Sequence, residues 1–565
     1  MIRNENVCDQ FKYLHEEQVY SGRENKLYWC GRCQIPVYYE KCPVCKQDAV
    51  PFVTDLRPVF PEEAVLLEIL LKCKGELRGH SLWNAKGNRY FVNGKPLPFV
   101  LKDVVTEWDP FEVHRLWRDE ILKGEDIGED EFAERQQKFT VANRERLLKL
   151  EEDAFNCVKR AVAKFPERIK MVSFSGGKDS TVVSSVVRRA LGTNDILHVF
   201  CDTTIEFPFT YEYITVFRRR NRRVPFLKAQ YRGYNEHTDK PFLELCRKIG
   251  PPSRVMRWCC TTFKTAPISD LIDKFSQEKG VLTFYGVRNS ESVRRSKYRD
   301  IEHSPKIAKQ VVASPIIDWN DLDIWLYLLT RQEEFNYAYR LGFPRVGCWC
   351  CPSNSDWAYF LAQVYLPEQA AEWNSFLVEF ARRIGKPDAE EYVRSGNWKA
   401  RQGGEGMDVR FSQLQFEPCA NEPNARNYYL TVPITGALYE YFKPFGRLNF
   451  DIGKRLLGEV YVLDRITQEP VLILQGREGS RHLKVIAPNP FNLKLLFSRV
   501  ECQLRKYQSC ILCGGCPSIC PAKAIKFVGH QYKIDGDKCA GCMKCIAYYD
   551  HGCLVAKVTQ VRRSG

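Results

Sequence analysis

Ser173-Phe174-Ser175-Gly176-Gly177-Lys178-Asp179-Ser180 is the stretch that decides the fold, and its flanks give it a mechanical setting. Ile169 to Phe174 is a short apolar run suited to a strand. Thr181 to Leu191 carries the apolar spacing of an amphipathic helix. Strand, glycine turn and helix in that order make an anion site. Gly176 and Gly177 let the backbone bend with its N–H groups facing inward. The helix that follows offers unpaired N–H groups and the positive end of its dipole. Lys178 adds a full positive charge, and Ser175 and Ser180 add hydroxyls. Ser173 and Asp179 complete the expected nucleotide-contacting set. The two glycines lie directly beside the lysine, which excludes the GxxxxGK[ST] phosphate loop. A Gly-rich turn without a ligand is the bland alternative.

The alternation continues from 168 to about 360. Ile196 to Phe200 predicts a strand ending at Asp202, Phe207 to Arg220 a helix, and Val281 to Gly286 a strand. Val311 to Ile317 predicts another strand, followed by a helix capped near Asn320 that carries Trp325 and Tyr327. Apolar strands alternating with helices predict an α/β fold whose parallel sheet is covered on both faces. Ligands of such sheets sit at the carboxyl ends of the strands. Asp202, the 175–180 loop and Arg288 all fall there.

The octet resembles the SGGKDS pyrophosphate loop of the adenine-nucleotide α-hydrolases, a superfamily of ATP pyrophosphatases, ATP sulfurylase small subunits and PAPS reductases. Four further segments resemble PAPS reductases in the same order. Asp202-Thr203-Thr204-Ile205-Glu206-Phe207-Pro208 is similar to DTG-x-x-FP. Gly286-Val287-Arg288-Asn289-Ser290-Glu291-Ser292-Val293-Arg294-Arg295 is similar to GxRxxES-x-x-R. Pro315 to Trp325 is similar to P-x-x-x-W-x-x-x-D-x-W, and Phe335 to Cys348 to N-x-LY-x-x-GYPSIGC. The resemblance implies a nucleotide site that includes Asp202, Arg288 and Arg294, with Lys178, Asp179 and Arg288 in catalytic roles. Surface ion pairs are the alternative for the two arginines.

Cysteine is the other strong signal. The chain of 565 residues has 24, mostly in Cys-x-x-Cys spacings. In a large chain this reads as metal and cluster ligation rather than disulfides. Cys30-x2-Cys33 and Cys42-x2-Cys45 make two knuckles suited to one tetrahedral zinc, with a rubredoxin-type iron as the other choice. Cys259-Cys260, then 87 residues, then Cys348-Trp349-Cys350-Cys351, resembles the [4Fe–4S] site of APS-type reductases. By that resemblance Cys259, Cys260, Cys348 and Cys351 are the ligands and Cys350 is an extra thiol; zinc or a structural role is the alternative. Cys510-x2-Cys513-x2-Cys516-x3-Cys520-Pro521 fits the bacterial ferredoxin run. Cys539-x2-Cys542-x2-Cys545 follows, with Cys553 seven residues on where three are usual. The fourth cysteine of each run ligates the other cluster in two-cluster ferredoxins. Cys510, Cys513, Cys516 and Cys553 are therefore expected at one cluster, and Cys520, Cys539, Cys542 and Cys545 at the other. Zinc knuckles are the alternative.

The domain reading follows: 1–57 a zinc-ribbon-like module, 58–128 a small mixed domain faintly resembling a PUA-like segment, 129–400 the catalytic domain, 401–500 a β-rich connector and 501–565 a two-cluster ferredoxin domain. No apolar run is long enough to cross a membrane, and Met1 to Asn6 is not a signal peptide, so a soluble cytoplasmic protein is expected. The formal charge of +15 falls to about +7 once four units of roughly −2 each are bound. That is modest support for a nucleic-acid partner. The densest basic run, Arg218 to Arg223, could grip phosphate or end a solvated helix.

Two reactions fit. In the first, adenylyl sulfate (APS) or its 3′-phosphate (PAPS) binds the loop and is reduced to sulfite. The attached C-terminal ferredoxin domain feeds electrons to the cluster of Cys259, Cys260, Cys348 and Cys351, with an external donor such as ferredoxin as partner. PAPS and APS reductases usually attack with a cysteine in a Glu-Cys-Gly-x-His motif. Here Glu501-Cys502 is followed by Gln503-Leu504-Arg505, and the helical pattern puts Cys502 off the apolar face formed by Leu493, Leu496, Phe497, Val500, Leu504 and Tyr507. In the second, ATP adenylates a nucleic-acid acceptor that is then thiolated, as in tRNA thiolation or DNA phosphorothioation.

Overall fold

The computed structural model describes residues 26–231, 240–276, 279–291, 298–401, 413–529, 531–547, 553 and 561–563. Its centre is a six-stranded sheet. The strands are β1 (Ile169–Ser173), β2 (Leu197–Asp202), β3 (Phe226–Gln230), β4 (Val281–Phe284), β5 (Ile301–His303) and β6 (Gln310–Ala313). Their order is β3-β2-β1-β4-β6-β5, parallel throughout except for the edge strand β5. β4 and β6 are buried along their whole length, as the apolar runs require. The strand expected through Ile317 stops at Ala313, because Ser314-Pro315 starts a turn and proline has no N–H for the ladder.

Four helices position the site: α1 (Lys178–Leu191), α2 (Pro208–Arg220), α3 (Ala266–Ser276) and α4 (Asp321–Arg331). α4 starts in a capping box, with Asn320 accepting from the Asp323 N–H and Asp323 accepting from the Asn320 N–H. The order reverses at β1, whose sequence neighbour β2 lies on one side while β4 lies on the other. The crevice at the carboxyl ends of β1 and β4 is therefore the natural ligand position.

Residues 26–164 supply a three-stranded sheet, a four-stranded sheet of Leu56–Pro58, Leu82–Ala85, Arg89–Val92 and Lys95–Pro96, and helices including Glu129–Ala142 and Arg144–Lys164. Trp29, Cys30, Val37, Leu56 and Phe60 share one apolar core with Val182, Leu282 and Trp325 of the central sheet and its helices. Tyr38 donates to Asp323 at 2.7 Å.

Beyond residue 413, seven strands form a second sheet whose last member, Val561–Arg563, runs parallel to Leu414–Pro418. Helix α5 (Leu493–Ser509) lies on it, and α6 (Gly515–Ile519) follows. The core here joins Tyr428 and Val462 of the sheet to Phe497, Val500, Cys520 and Cys545. Cys502 belongs to it too, only 6% exposed. This corrects the placement of Cys502 off the apolar face: α5 is covered on more than one side, so a single-face count underestimates what it buries.

Candidate nucleotide site and cysteine clusters

The loop after β1 turns at Gly176, whose φ of +74° is one that glycine adopts without strain. Gly177 is extended and precedes the first residue of α1, Lys178. Ser180 Oγ donates to the Gly177 carbonyl at 2.8 Å and accepts from the Ser175 N–H at 3.2 Å. Ser173 is the last residue of β1, and the Lys178 N–H donates to the Tyr339 hydroxyl at 2.9 Å. The β4 loop closes on this turn at Gly286, where a Cβ would lie 2.8 Å from the Asp179 carbonyl carbon.

That approach creates a buried charge cluster. Lys178 is 3% exposed, with Nζ 3.2 Å from Asp321 and 3.5 Å from Asp179. Arg288, 4% exposed, bonds Asp179 through Nε and Asp321 through a terminal nitrogen at 2.9 Å. Burial alone would lower the pKa of Lys178 and Arg288, but Asp179 and Asp321 raise both. Burial would raise Asp179, and Lys178 and Arg288 overcome it, leaving Asp179 lowered and ionised.

A third carboxylate comes from the N-terminal region. Asp55 accepts from the N–H groups of Asp321 at 3.0 Å, Leu322 at 3.2 Å and Leu56 at 3.0 Å. Burial and then the Asp321 charge push its pKa up to about 6. Asp55, Asp321 and Tyr339 were not singled out from sequence. Asp321 adjoins the helix cap, a local signal; Asp55 carries no motif, and only the fold brings it across 266 residues.

Asp202 ends β2 and is held by the Tyr211 hydroxyl at 2.8 Å, the Thr204 N–H at 2.8 Å and Lys228 at 3.2 Å. Thr204 has φ +64°, at the position where the resembling DTG segment has glycine. Arg294 lies outside the described residues.

Cys259 and Cys260 end the short turn Trp258–Cys260, which passes into a π-helical turn, Thr261–Thr265, and then α3. Cys348 reaches them across the sheet top, paired with Glu206 in an isolated bridge. The thiol of Cys259 lies within electrostatic reach of Cys260, Cys348 and Cys351; its bond with Cys260 and burial raise its pKa. Lys264 sits among Cys348, Glu206, Cys260 and Cys201. Two pairs of thiols beside one cation suit an anionic cluster. Cys350 is buried and near Cys246 as well as Cys348 and Cys351.

The N-terminal set is tighter. The sulfurs of Cys30, Cys33, Cys42 and Cys45 all lie within 4.8 Å of one another. Cys30–Cys45 is 3.4 Å and Cys33–Cys42 is 3.9 Å. A zinc–sulfur bond of about 2.3 Å gives a tetrahedral edge of about 3.8 Å, so these residues fit a single tetrahedral ion.

At the C-terminal end, Cys510 and Cys513 are within electrostatic reach of Cys516 and Cys553. Cys545 is within reach of Cys516, Cys539 and Cys520, while Cys542 is exposed. Cys553 thus lies with the first run's triplet, while Cys545 has Cys520 and Cys539 near it and Cys516 of the first run as well. Lys506, 1% exposed, donates to the Cys545 carbonyl at 2.6 Å and lies near Cys516, Cys545, Cys553 and Cys510. This buried cation serves both thiol sets, and its sequence context gave no sign of it.

Residues 169–354 match the phosphoadenosine phosphosulfate reductase domain. An uncharacterized protein of Methanocaldococcus jannaschii is 32% identical over 249 residues, 44% of this chain and 49% of that protein. The adenosine 5′-phosphosulfate reductase of Geobacillus kaustophilus is 26% identical over 154 residues, 27% of this chain and 60% of that one. The phosphoadenylyl-sulfate reductase of Candida auris, solved as a phosphate complex, shares 17% identity over 37% of this chain and 96% of its own, with a TM-score of 0.27. The chain spans about half the length of the first of these relatives. The loop at the β1–β4 switch point, the parallel sheet that carries it and the match over both make residues 169–354 a phosphoadenosine phosphosulfate reductase domain.

Proposed function

We propose that this chain is an iron–sulfur enzyme of sulfur metabolism that reduces adenylyl sulfate, as APS or PAPS, to sulfite. One observation carries the reading: Cys259 of the catalytic domain packs in the same apolar cluster as Cys513 and Cys553 of the C-terminal segment. A second redox site built against the first makes sense where electrons must move between them. In this reading Lys178 and Arg288 exchange Asp179 and Asp321 for the oxygens of the nucleotide, and the N–H groups of the 175–180 loop bind its phosphate. Asp202 anchors the far wall of the site.

Cys259, Cys260, Cys348 and Cys351 would hold one [4Fe–4S] cluster, and the eight C-terminal cysteines two more, with zinc at Cys30, Cys33, Cys42 and Cys45. The clusters would supply one-electron steps; the zinc would brace the N-terminal sheet. Unoxidised thiols in this number fit the reducing cytoplasm, which is the location proposed. Among the described residues, no helix is long and apolar enough to cross a membrane.

Anaerobic preparation should give about twelve irons and one zinc per chain. Turnover with APS or PAPS and an electron donor, but not with ATP, supports the proposal; four or fewer irons after reconstitution would overturn it. One observation favours a second reading, ATP-dependent thiolation of a nucleic acid. The loop is complete, while Cys502, the cysteine of the two-residue match to the reductase Glu-Cys motif, lies in the second core. AMP release from ATP that depends on tRNA or DNA would establish that reading instead.

A further inference from the structure

The two C-terminal cysteine sets are not equivalent toward the catalytic domain. Cys513 and Cys553 pack in the apolar cluster that contains Phe263, Trp258 and Cys259, with Ile511 beside them. Cys520 and Cys545 are buried instead in the core of the second sheet, with Cys516 and Cys539 against it. Cys542 is exposed. One contact seats the first set directly, and two more hold the chain on either side of Cys520. Gly514, next to Cys513, leaves no room for a side chain: its Cβ would lie 2.2 Å from that of Ala266, the first residue of α3 and six positions after Cys260. Lys523 pairs with Asp273 of α3 at 2.8 Å. The Ala308 N–H donates to the Ser518 carbonyl of α6 at 3.1 Å.

We infer that the three cysteine sets form an ordered line: the Cys520, Cys539, Cys542, Cys545 set takes electrons from a one-electron donor in solution, and the Cys510, Cys513, Cys516, Cys553 set delivers them to the catalytic domain across the Gly514–Ala266 contact. This order rests on the reductive reading for its purpose, but the placement of the sets does not. Each turnover takes two electrons, passed singly. The bond between sulfur and the nucleotide's phosphate oxygen breaks with its electron pair going to oxygen. The two incoming electrons become the lone pair on the sulfur of sulfite. The external donor is oxidised and adenylyl sulfate is reduced.

The test is electron paramagnetic resonance of the full-length, anaerobically reconstituted and fully reduced protein, which reads spin coupling between neighbouring clusters. Cys542→Ser, confirmed by iron analysis to have lost one site, should leave coupling between the catalytic-domain signal and its neighbour. Cys513→Ser should abolish that coupling and leave two isolated signals. The opposite pattern, with coupling lost in Cys542→Ser and kept in Cys513→Ser, would overturn the order. Ala266→Leu retains every ligand and covers the case in which a ligand variant fails to fold. It should keep full iron content, weaken the coupling, and slow reduction of the catalytic-domain site while the C-terminal sites reduce at the wild-type rate. Unchanged coupling and unchanged rates in Ala266→Leu would overturn the proposed contact. Should the coupling pattern hold while neither APS nor PAPS is turned over, the order stands and the reductive reading falls.

Discussion

Replacing Lys178 with alanine tests whether the buried charge cluster is the nucleotide site. In the folded chain Lys178 Nζ lies 3.2 Å from Asp321. At an effective dielectric of about 20, a pair at that distance attracts by about 5 kcal/mol before desolvation is counted. A phosphate therefore does not meet a free lysine; it exchanges one anion for another. The net gain is closer to that of one charge-assisted hydrogen bond, about 1.5–3 kcal/mol, than to the gross attraction. Lys178→Ala should thus weaken nucleotide binding by about ten- to 150-fold. The variant also leaves Asp179 and Asp321 with Arg288 alone. Asp179, now lowered partly by Lys178, must move up, so its negative charge opposes an anionic ligand most strongly at high pH. The defect should shrink as pH falls and the carboxyl takes a proton. Calorimetric titration with ATP, APS and PAPS from pH 5.5 to 8 measures both effects, with circular dichroism and metal content as controls for folding. Unchanged affinity for all three nucleotides in a folded variant would refute the assignment.

Asp55→Ala leaves three backbone N–H groups without their acceptor and should lower stability by about 1–3 kcal/mol, while Asp55→Asn keeps an acceptor oxygen and should cost much less. The asparagine variant also removes a negative charge beside the site and should tighten nucleotide binding at pH 7; equal effects of the two variants in urea unfolding and titration would sink this account. His198 is fully buried between Ser184 and the Ile196 carbonyl, and burial lowers its pKa to about 4, against about 6.5 in the unfolded chain. A depressed histidine contributes stability above the unfolded value that is lost as pH falls toward the folded one, here about 2 kcal/mol between pH 7 and pH 5. Urea unfolding of His198→Gln should lack that component, and an identical pH dependence in wild type and variant would contradict it. Cys42→Ser should lose the proposed zinc and lower the melting temperature, since Cys42 lies in the same apolar core as the central sheet; zinc analysis giving one ion per chain in both wild type and variant would show that the four thiols are not its ligands.

Much of the fold was legible because its signals are local. The run from Ile169 to Leu191 encodes strand, turn and helix within one stretch, and periodicity plus two glycines suffices to read it. The cap at Asn320 and the strand ending at Asp202 are legible on the same grounds. Cysteine spacing is local as well, since a knuckle is a turn of backbone, and so it marks candidate ligand pairs and triplets before any tertiary contact is known.

What the sequence could not carry is the meeting of residues far apart in the chain. Gly286 closes on Asp179 because the strand order reverses at β1 and brings the β1 and β4 loops over one crevice, and Asp55 joins Asp321 because the N-terminal strand Leu56–Pro58 packs against α4. Cys502 is buried because its helix is packed on more than one side, which a single amphipathic stripe cannot report. The seating of Cys513 rather than Cys542 against the catalytic domain is of the same kind. Spacing marks each pair or triplet of thiols from within a few residues, but which of them faces the catalytic domain depends on how two separate cores pack, and that is a property of surfaces assembled only in the folded chain.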